Sequence, residues 1–142
     1  MKQYRVVLDT NVVLSAVLWR GRPGSILELA GERDLLLFTS RALLSELTEV
    51  LQRDRFASQV GKTGNSVRQM LARYRRLATV VATSRLPAPV SRDADDDAVL
   101  ACAVAARADF IVTGDQDLLV LAEHAGIQIV TVAAMLTIAA TR

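Results

Sequence analysis

The sequence predicts an α/β protein, a three-layer α/β/α sandwich with helices on both faces of a central parallel sheet. Three observations carry this. Tyr4-Arg5-Val6-Val7-Leu8, Leu35-Leu36-Leu37-Phe38 and Phe110-Ile111-Val112 are short, nearly continuous apolar runs, the pattern of strands buried on both faces. Between them lie longer stretches with apolar residues at helical spacing. The two patterns alternate along the chain, which implies βαβ units and parallel pairing.

In order, the first strand stops at Asp9-Thr10-Asn11, residues that favour caps and turns, and a helix follows from Val12 to Leu18. Gly21-Arg22-Pro23-Gly24 is expected to break the chain, with a second helix from Ser25 to Ala30. After the strand at 35–38, Thr39-Ser40 caps a helix with Leu43, Leu44, Leu47, Val50 and Leu51 along one stripe. Residues 53–64 are punctuated by charge and glycine, and Val67 to Val80 reads as one further helix. Ser84 to Pro89 is the one proline-bearing loop. Asp93-Ala94-Asp95-Asp96-Asp97 opens an alanine-rich helix to Arg107, and Phe110–Val112 ends at Thr113-Gly114-Asp115. A helix from Asp117 to Ala122, a last strand from Ile127 to Val130 and a closing helix from Val132 to Ala139 complete the order.

The length of 142 residues suits one domain, taken as 1–142, with 51% hydrophobic and 23% charged residues. No apolar run is long enough for a bilayer, and the start lacks a signal-peptide pattern. With the lone Cys102 excluding an internal disulfide, a cytoplasmic location without membrane attachment is expected. Arginine supplies fifteen of the seventeen basic residues; this suits bidentate phosphate contacts, although a GC-rich genome produces the same bias.

The acidic residues fall where a parallel sheet gathers them. Asp9 follows the first strand, Asp115 and Asp117 follow Phe110–Val112, and ligands bind at the carboxyl ends of such strands. Asp96 and Asp97 lie in the first turn of the helix leading into that strand, and Glu46 lies beside the apolar stripe of the helix after the second. Carboxylates gathered at one rim repel unless a hard divalent cation neutralises them. Oxygen ligands without histidine or thiolate point to Mg²⁺ or Mn²⁺, and the matching chemistry is phosphodiester hydrolysis. Singly, each acid has a plainer role: Asp9, Asp115 and Asp117 as caps, and the run from Asp93 to Asp97 as a solvated helix start. Glu46 has no capping role, and the convergence of all of them favours a metal site. His124 has no partner at zinc-ligand spacing, Cys102 reads as a core thiol, and the common nucleotide-binding and nucleophile motifs are absent.

LDTNVVLSAVLW at 8–19, SRALLSELTEVL at 40–51 and DADDDAVLACAVAARADFIVTGDQDLL at 93–119 resemble a PIN domain over nearly the whole chain. The resemblance is to the VapC-like toxin components of bacterial toxin–antitoxin pairs. It implies a PIN-like sandwich and a Mg²⁺- or Mn²⁺-dependent ribonuclease that prefers single-stranded RNA. It carries Asp9 over as the first acidic ligand, Glu46 as the second, Asp96 or Asp97 as the third, with Asp96 preferred, and Asp115 as the fourth. Asn11 and Thr113 match polar positions that orient these carboxylates, and Asp117 matches an acid that reaches the metal through water. Ala94 stands where relatives often have proline. A PIN nuclease of RNA processing or repair, and a non-catalytic RNA-binding module, are the alternatives; the full acidic set argues against the second.

Arg68, Arg73, Arg75 and Arg76 lie on one helix, and Arg68, Arg73 and Arg76 are candidate RNA contacts, weighed against a solvated helix face. The leucine- and valine-rich helices at 11–18, 25–30 and 40–51 are expected to form a homodimer about a two-fold axis. They are also expected to receive an amphipathic segment of a cognate antitoxin that covers the acidic rim.

Overall fold

The computed structural model describes residues 3–84, 86, 90 and 94–141, without the side chains of Ala94 and Asp95. Much of the expected Ser84–Pro89 loop, and Asp93, lie outside the described residues. The chain runs β1 (Tyr4–Leu8), α1 (Thr10–Leu18), α2 (Gly21–Gly31), β2 (Leu35–Thr39) and α3 (Arg41–Leu51). A 3₁₀ turn at Asp54–Phe56 leads to α4 (Ala57–Lys62), α5 (Val67–Leu77), β3 (Ala78–Val80) and α6 (Ala94–Ala106). The rest is β4 (Phe110–Val112), α7 (Gln116–Leu119), β5 (Glu123–His124), β6 (Ile127–Val130) and α8 (Val132–Thr141).

The strands form one sheet in the order β3-β2-β1-β4-β6-β5. All neighbours are parallel except β5, which is antiparallel to β6. From β1 the chain first moves outward through β2 and β3, then returns to lay β4 on the other side of β1. The β1–β4 boundary is therefore the point where strand order reverses, and a crevice opens there beyond the carboxyl ends.

Two cores flank the sheet, so the three layers are present. Val6, Leu8, Leu37, Phe110 and Val112 face a core shared with α1, α2, α5 and α8. Val7, Phe38, Ile111 and Ile129 face a second core built on Val99, Leu100, Cys102 and Ala103 of α6. Alternate residues of each strand supply the two cores, as the pleat requires. Helix α3 contributes Leu43 to one core and Leu47, Val50 and Leu51 to the other, and it contacts both α1 and α6. At the amino end, Arg5 donates from its backbone N to Asp109 Oδ2 at 2.9 Å and from Nε to the Ala106 carbonyl at 2.8 Å, tying β1 to the entry of β4.

Several boundaries differ from expectation. Gly21-Arg22-Pro23-Gly24 opens α2 rather than breaking the chain. The sharp bend lies at Arg20 and Gly21, with φ of 62° and 52°, and Pro23 falls in the first helical turn, where no backbone N–H is needed. The helix from Val67 ends at Leu77, because Ala78 turns extended and the chain becomes an edge strand beside β2. Residues 57–62 are helical, not irregular. The helix after Asp115 is a single turn. Ala125 and Gly126, both at positive φ, then make a two-residue hairpin turn that adds β5.

Leu100 is fully buried against the sheet. Leu100→Ala is expected to destabilise the fold by about 2–5 kcal/mol, measured by urea denaturation. Val120→Ala, at a position 77% exposed, is expected to change stability by less than about 0.5 kcal/mol.

Candidate metal centre at the carboxyl ends of the strands

The site begins with strand register. Leu8 pairs with Val112, and the Asp9 N–H donates to the Val112 carbonyl at 3.0 Å. Asp9 and Thr113 therefore leave the sheet at the same level. The Thr113 hydroxyl donates to Asp9 Oδ2 at 2.7 Å and accepts from the Asp115 N–H at 3.0 Å. Thr113 is wholly buried, so this one hydroxyl fixes the carboxylate after β1 and the backbone carrying the acid after β4. Asp115 in turn caps α7, accepting from the Asp117 N–H at 2.8 Å through Oδ1.

Two further elements complete the cleft. Ser40 accepts from the Leu43 N–H and starts α3, which brings half-buried Glu46 to the rim. The α6 helix presents Asp96, which is 4% exposed. Asp9, Asn11, Glu46, Asp96 and Asp115 line one cleft of about 500 Å³. Asp96, Asp115 and Asp117 each bring a carboxylate oxygen within 4.8 Å of the others. Three hard oxygen donors so close suit a divalent cation of the Mg²⁺ class by donor chemistry.

Asp97, one residue on and so turned about 100° around the helix, accepts instead from the Val90 N–H at 3.1 Å. It does not line the cleft. The side chain of Asp95 lies outside the described residues. Asn11 is exposed at the rim, while Thr113 lies beneath it. Exposed Arg68, Arg73 and Arg76 do not line this cleft; Arg73 and Arg76 line a separate groove that shares no residue with it.

The cleft also holds residues that the sequence reading passed over. Ser45, Glu49, Arg53 and Arg55 line it, and Arg53 pairs with Glu49 at 2.9 Å, one helical turn apart. For Glu49 the signal was present in the spacing: 42, 46 and 49 fall on one face of α3. Two groups of the core, Tyr74 and Cys102, have raised pKa values. Burial pushes the Tyr74 hydroxyl above its ordinary range and the Cys102 thiol up to about 11, opposed for Cys102 by a hydrogen bond with Ser40.

Residues 5–117 match the family model described as the PIN domain. The chain belongs to the PIN-domain family. PIN domains are generally nucleases that use divalent metals. An uncharacterized protein of Methanocaldococcus jannaschii is 30% identical over 121 residues, covering 84% of this chain and 76% of the relative. Among solved structures, VapBC2 from Rickettsia felis, bound to a DNA fragment from their promoter, aligns with a TM-score of 0.60. That alignment covers 89% of this chain and 98% of the other at 15% identity, a likeness of fold. Among the described residues, no helix of this PIN domain is long and apolar enough to cross a membrane.

Thr113→Val keeps the volume but strips both hydrogen bonds from a buried hydroxyl. It is expected to cost about 1–3 kcal/mol in urea denaturation, and Thr113→Ser is expected to restore most of that. A Thr113→Val protein as stable as the parent contradicts the role given to this hydroxyl.

Proposed function

We propose that this PIN domain, taken as a single unit over 1–142, is a Mg²⁺- or Mn²⁺-dependent endoribonuclease cleaving single-stranded RNA, and the toxin of a toxin–antitoxin pair. The observation that carries the reading is the cluster of Asp96, Asp115 and Asp117 within 4.8 Å, beside Asp9 at the strand-order reversal. Asp9, Glu46, Asp96 and Asp115 are proposed to hold the ion, with Asp117 beside them; Asp97, which faces Val90, is proposed to support the helix entry. When bound, such an ion polarises a phosphoryl oxygen and lowers the pKa of a bound water.

The chain's own groups have distinct tasks. Thr113 holds Asp9 through Oδ2, and the Asp117 N–H holds Asp115 through Oδ1, so both carboxylates are oriented before substrate arrives. Arg53 and Arg55 supply positive charge at the mouth of a cleft lined by five carboxylates, where a phosphodiester must approach against repulsion. The described lining residues include no histidine, lysine or cysteine, which leaves a carboxylate oxygen to take the proton of the attacking water.

Asp9→Asn preserves size and the hydrogen bond from Thr113 but removes a charge. Cleavage of single-stranded RNA is expected to fall at least about 100-fold with an unchanged circular dichroism spectrum. Equal rates in Asp9→Asn and parent protein, against a chelator control, sink the metal-nuclease reading. Mg²⁺ or Mn²⁺ at about 100 times its Kd is expected to stabilise the parent by about 2.7 kcal/mol through linkage, seen as a raised Tm. The rise is expected to shrink in Asp115→Asn; a Tm indifferent to either ion counts against the cluster as a metal site.

The likeness of fold to VapBC2 from Rickettsia felis supports an antitoxin partner for this chain. The leucines and valines of α1 to α3 are largely spent in the core. Trp19, Val80, Val104 and Val120 are among the large apolar side chains left exposed. A homodimer is proposed, and analytical ultracentrifugation is expected to give twice the 15.4 kDa chain mass. A monomer throughout the micromolar range rules it out. Co-expression with the product of a short upstream reading frame is expected to relieve growth arrest.

A further inference from the structure

A second concavity of about 860 Å³ lies between the carboxyl end of α1, one side of α2 from Gly24 to Gly31, and α4 and α5. Its charge is opposite to that of the cleft. Arg20, Lys62, Arg73 and Arg76 line it, against Glu28 as the one carboxylate among the described lining residues. All four cations are exposed. At its edge Trp19, the only tryptophan of the chain, is 55% exposed.

The two concavities are joined by a stacked ridge. The Trp19 ring meets the Phe56 ring edge to face, with centroids 6.2 Å apart, and the Arg55 guanidinium lies over Phe56 at 4.7 Å. Arg55 lines the acidic cleft and Trp19 lines the basic groove. Helix α1 spans the same interval from within, with Asn11 at the cleft and Leu18 at the groove, about 10 Å apart at 1.5 Å per residue.

We infer that the ridge and groove form a binding track for single-stranded nucleic acid, leading away from the carboxylate cleft; the inference rests on the nuclease reading above. Cations set beside an exposed aromatic ring, Trp19, held edge to face by half-buried Phe56, are what a sequence-tolerant strand requires: the cations follow the phosphates, and a base stacks on the exposed ring. The track also answers the electrostatics of the cleft, whose carboxylates repel the strand they are to cut. Affinity comes from the groove and chemistry from the cleft. An acidic peptide would satisfy the cations, but it gives no use to the Arg55–Phe56–Trp19 ridge that runs into the cleft.

Trp19 fluorescence reads the track directly, without cleavage. In the presence of a metal chelator, a single-stranded RNA of about 16 nucleotides is expected to quench that emission, and one of about 4 to do so weakly. By anisotropy of labelled 16-mer, Arg73→Ala combined with Arg76→Ala is expected to weaken binding about tenfold. The slope of log affinity against log salt is expected to fall by about 0.7 for each lost cation. Arg75→Ala, on the same helix but outside the groove lining, is expected to leave the slope in place. Trp19→Ala is expected to lose about tenfold in affinity, and Trp19→Phe to retain most of it. Emission unmoved by the 16-mer overturns the track. So does equal quenching by polyglutamate, which would mark the groove as a dock for an acidic peptide. Quenching by the 16-mer without cleavage when Mg²⁺ or Mn²⁺ is restored leaves the track standing and removes the nuclease reading.

Discussion

Parallel pairing of β1 with β4 is the constraint on which the cleft depends. Register alone sets the ends of the two strands level, with Leu8 opposite Val112, and the Thr113 hydroxyl then locks what the register delivers. A one-residue slip would turn Asp9 to the wrong face and exchange Val6 and Leu8 with Val7 between the two cores. The apolar cost of that exchange defends the polar geometry. Val7 and Ile111 are fully buried in one core, and Val6 and Val112 in the other, so the positions of the acids are held by burial on both faces.

Helix α3 connects that frame to the solvent. Its inner residues divide between the cores, while Glu46, Glu49 and Arg53 share the edge that looks into the cleft. The Glu49–Arg53 pair is exposed, and such pairs contribute little to stability. Its value lies in keeping a guanidinium extended at the mouth. The surface thus divides by sign: carboxylates concentrated at the strand ends, cations along α4 and α5, and an aromatic ridge between them.

Most of this frame was legible in the sequence because burial writes itself into composition. The continuous apolar runs at 4–8, 35–38 and 110–112 located three parallel strands, and the polar residues that end them located Asp9 and Thr113. What escaped was decided by tertiary contact or by angle. Ala78–Val80 follows α5 with no glycine or proline between, and only pairing with β2 makes it a strand. Pro23 reads as a breaker until its place in a first turn is known. Asp96 and Asp97 are chemically identical neighbours, and helix phase alone sends one to the cleft and the other to Val90. Arg53 and Arg55 looked like punctuation, because the sequence does not reveal what lies beyond the end of α3.

The bond between Thr113 and Asp9 closes a separation of 104 residues. Contacts so distant in sequence form late, since loop closure must precede them. Synthesis delivers about 5–20 residues per second, so β1 waits several seconds for its β4 neighbour to be made. Until then Asp9 is an ordinary solvated carboxylate and the cluster does not exist. The topology therefore acts as a timer: the carboxylates stay apart until synthesis has passed Thr113 and β4 can pair with β1.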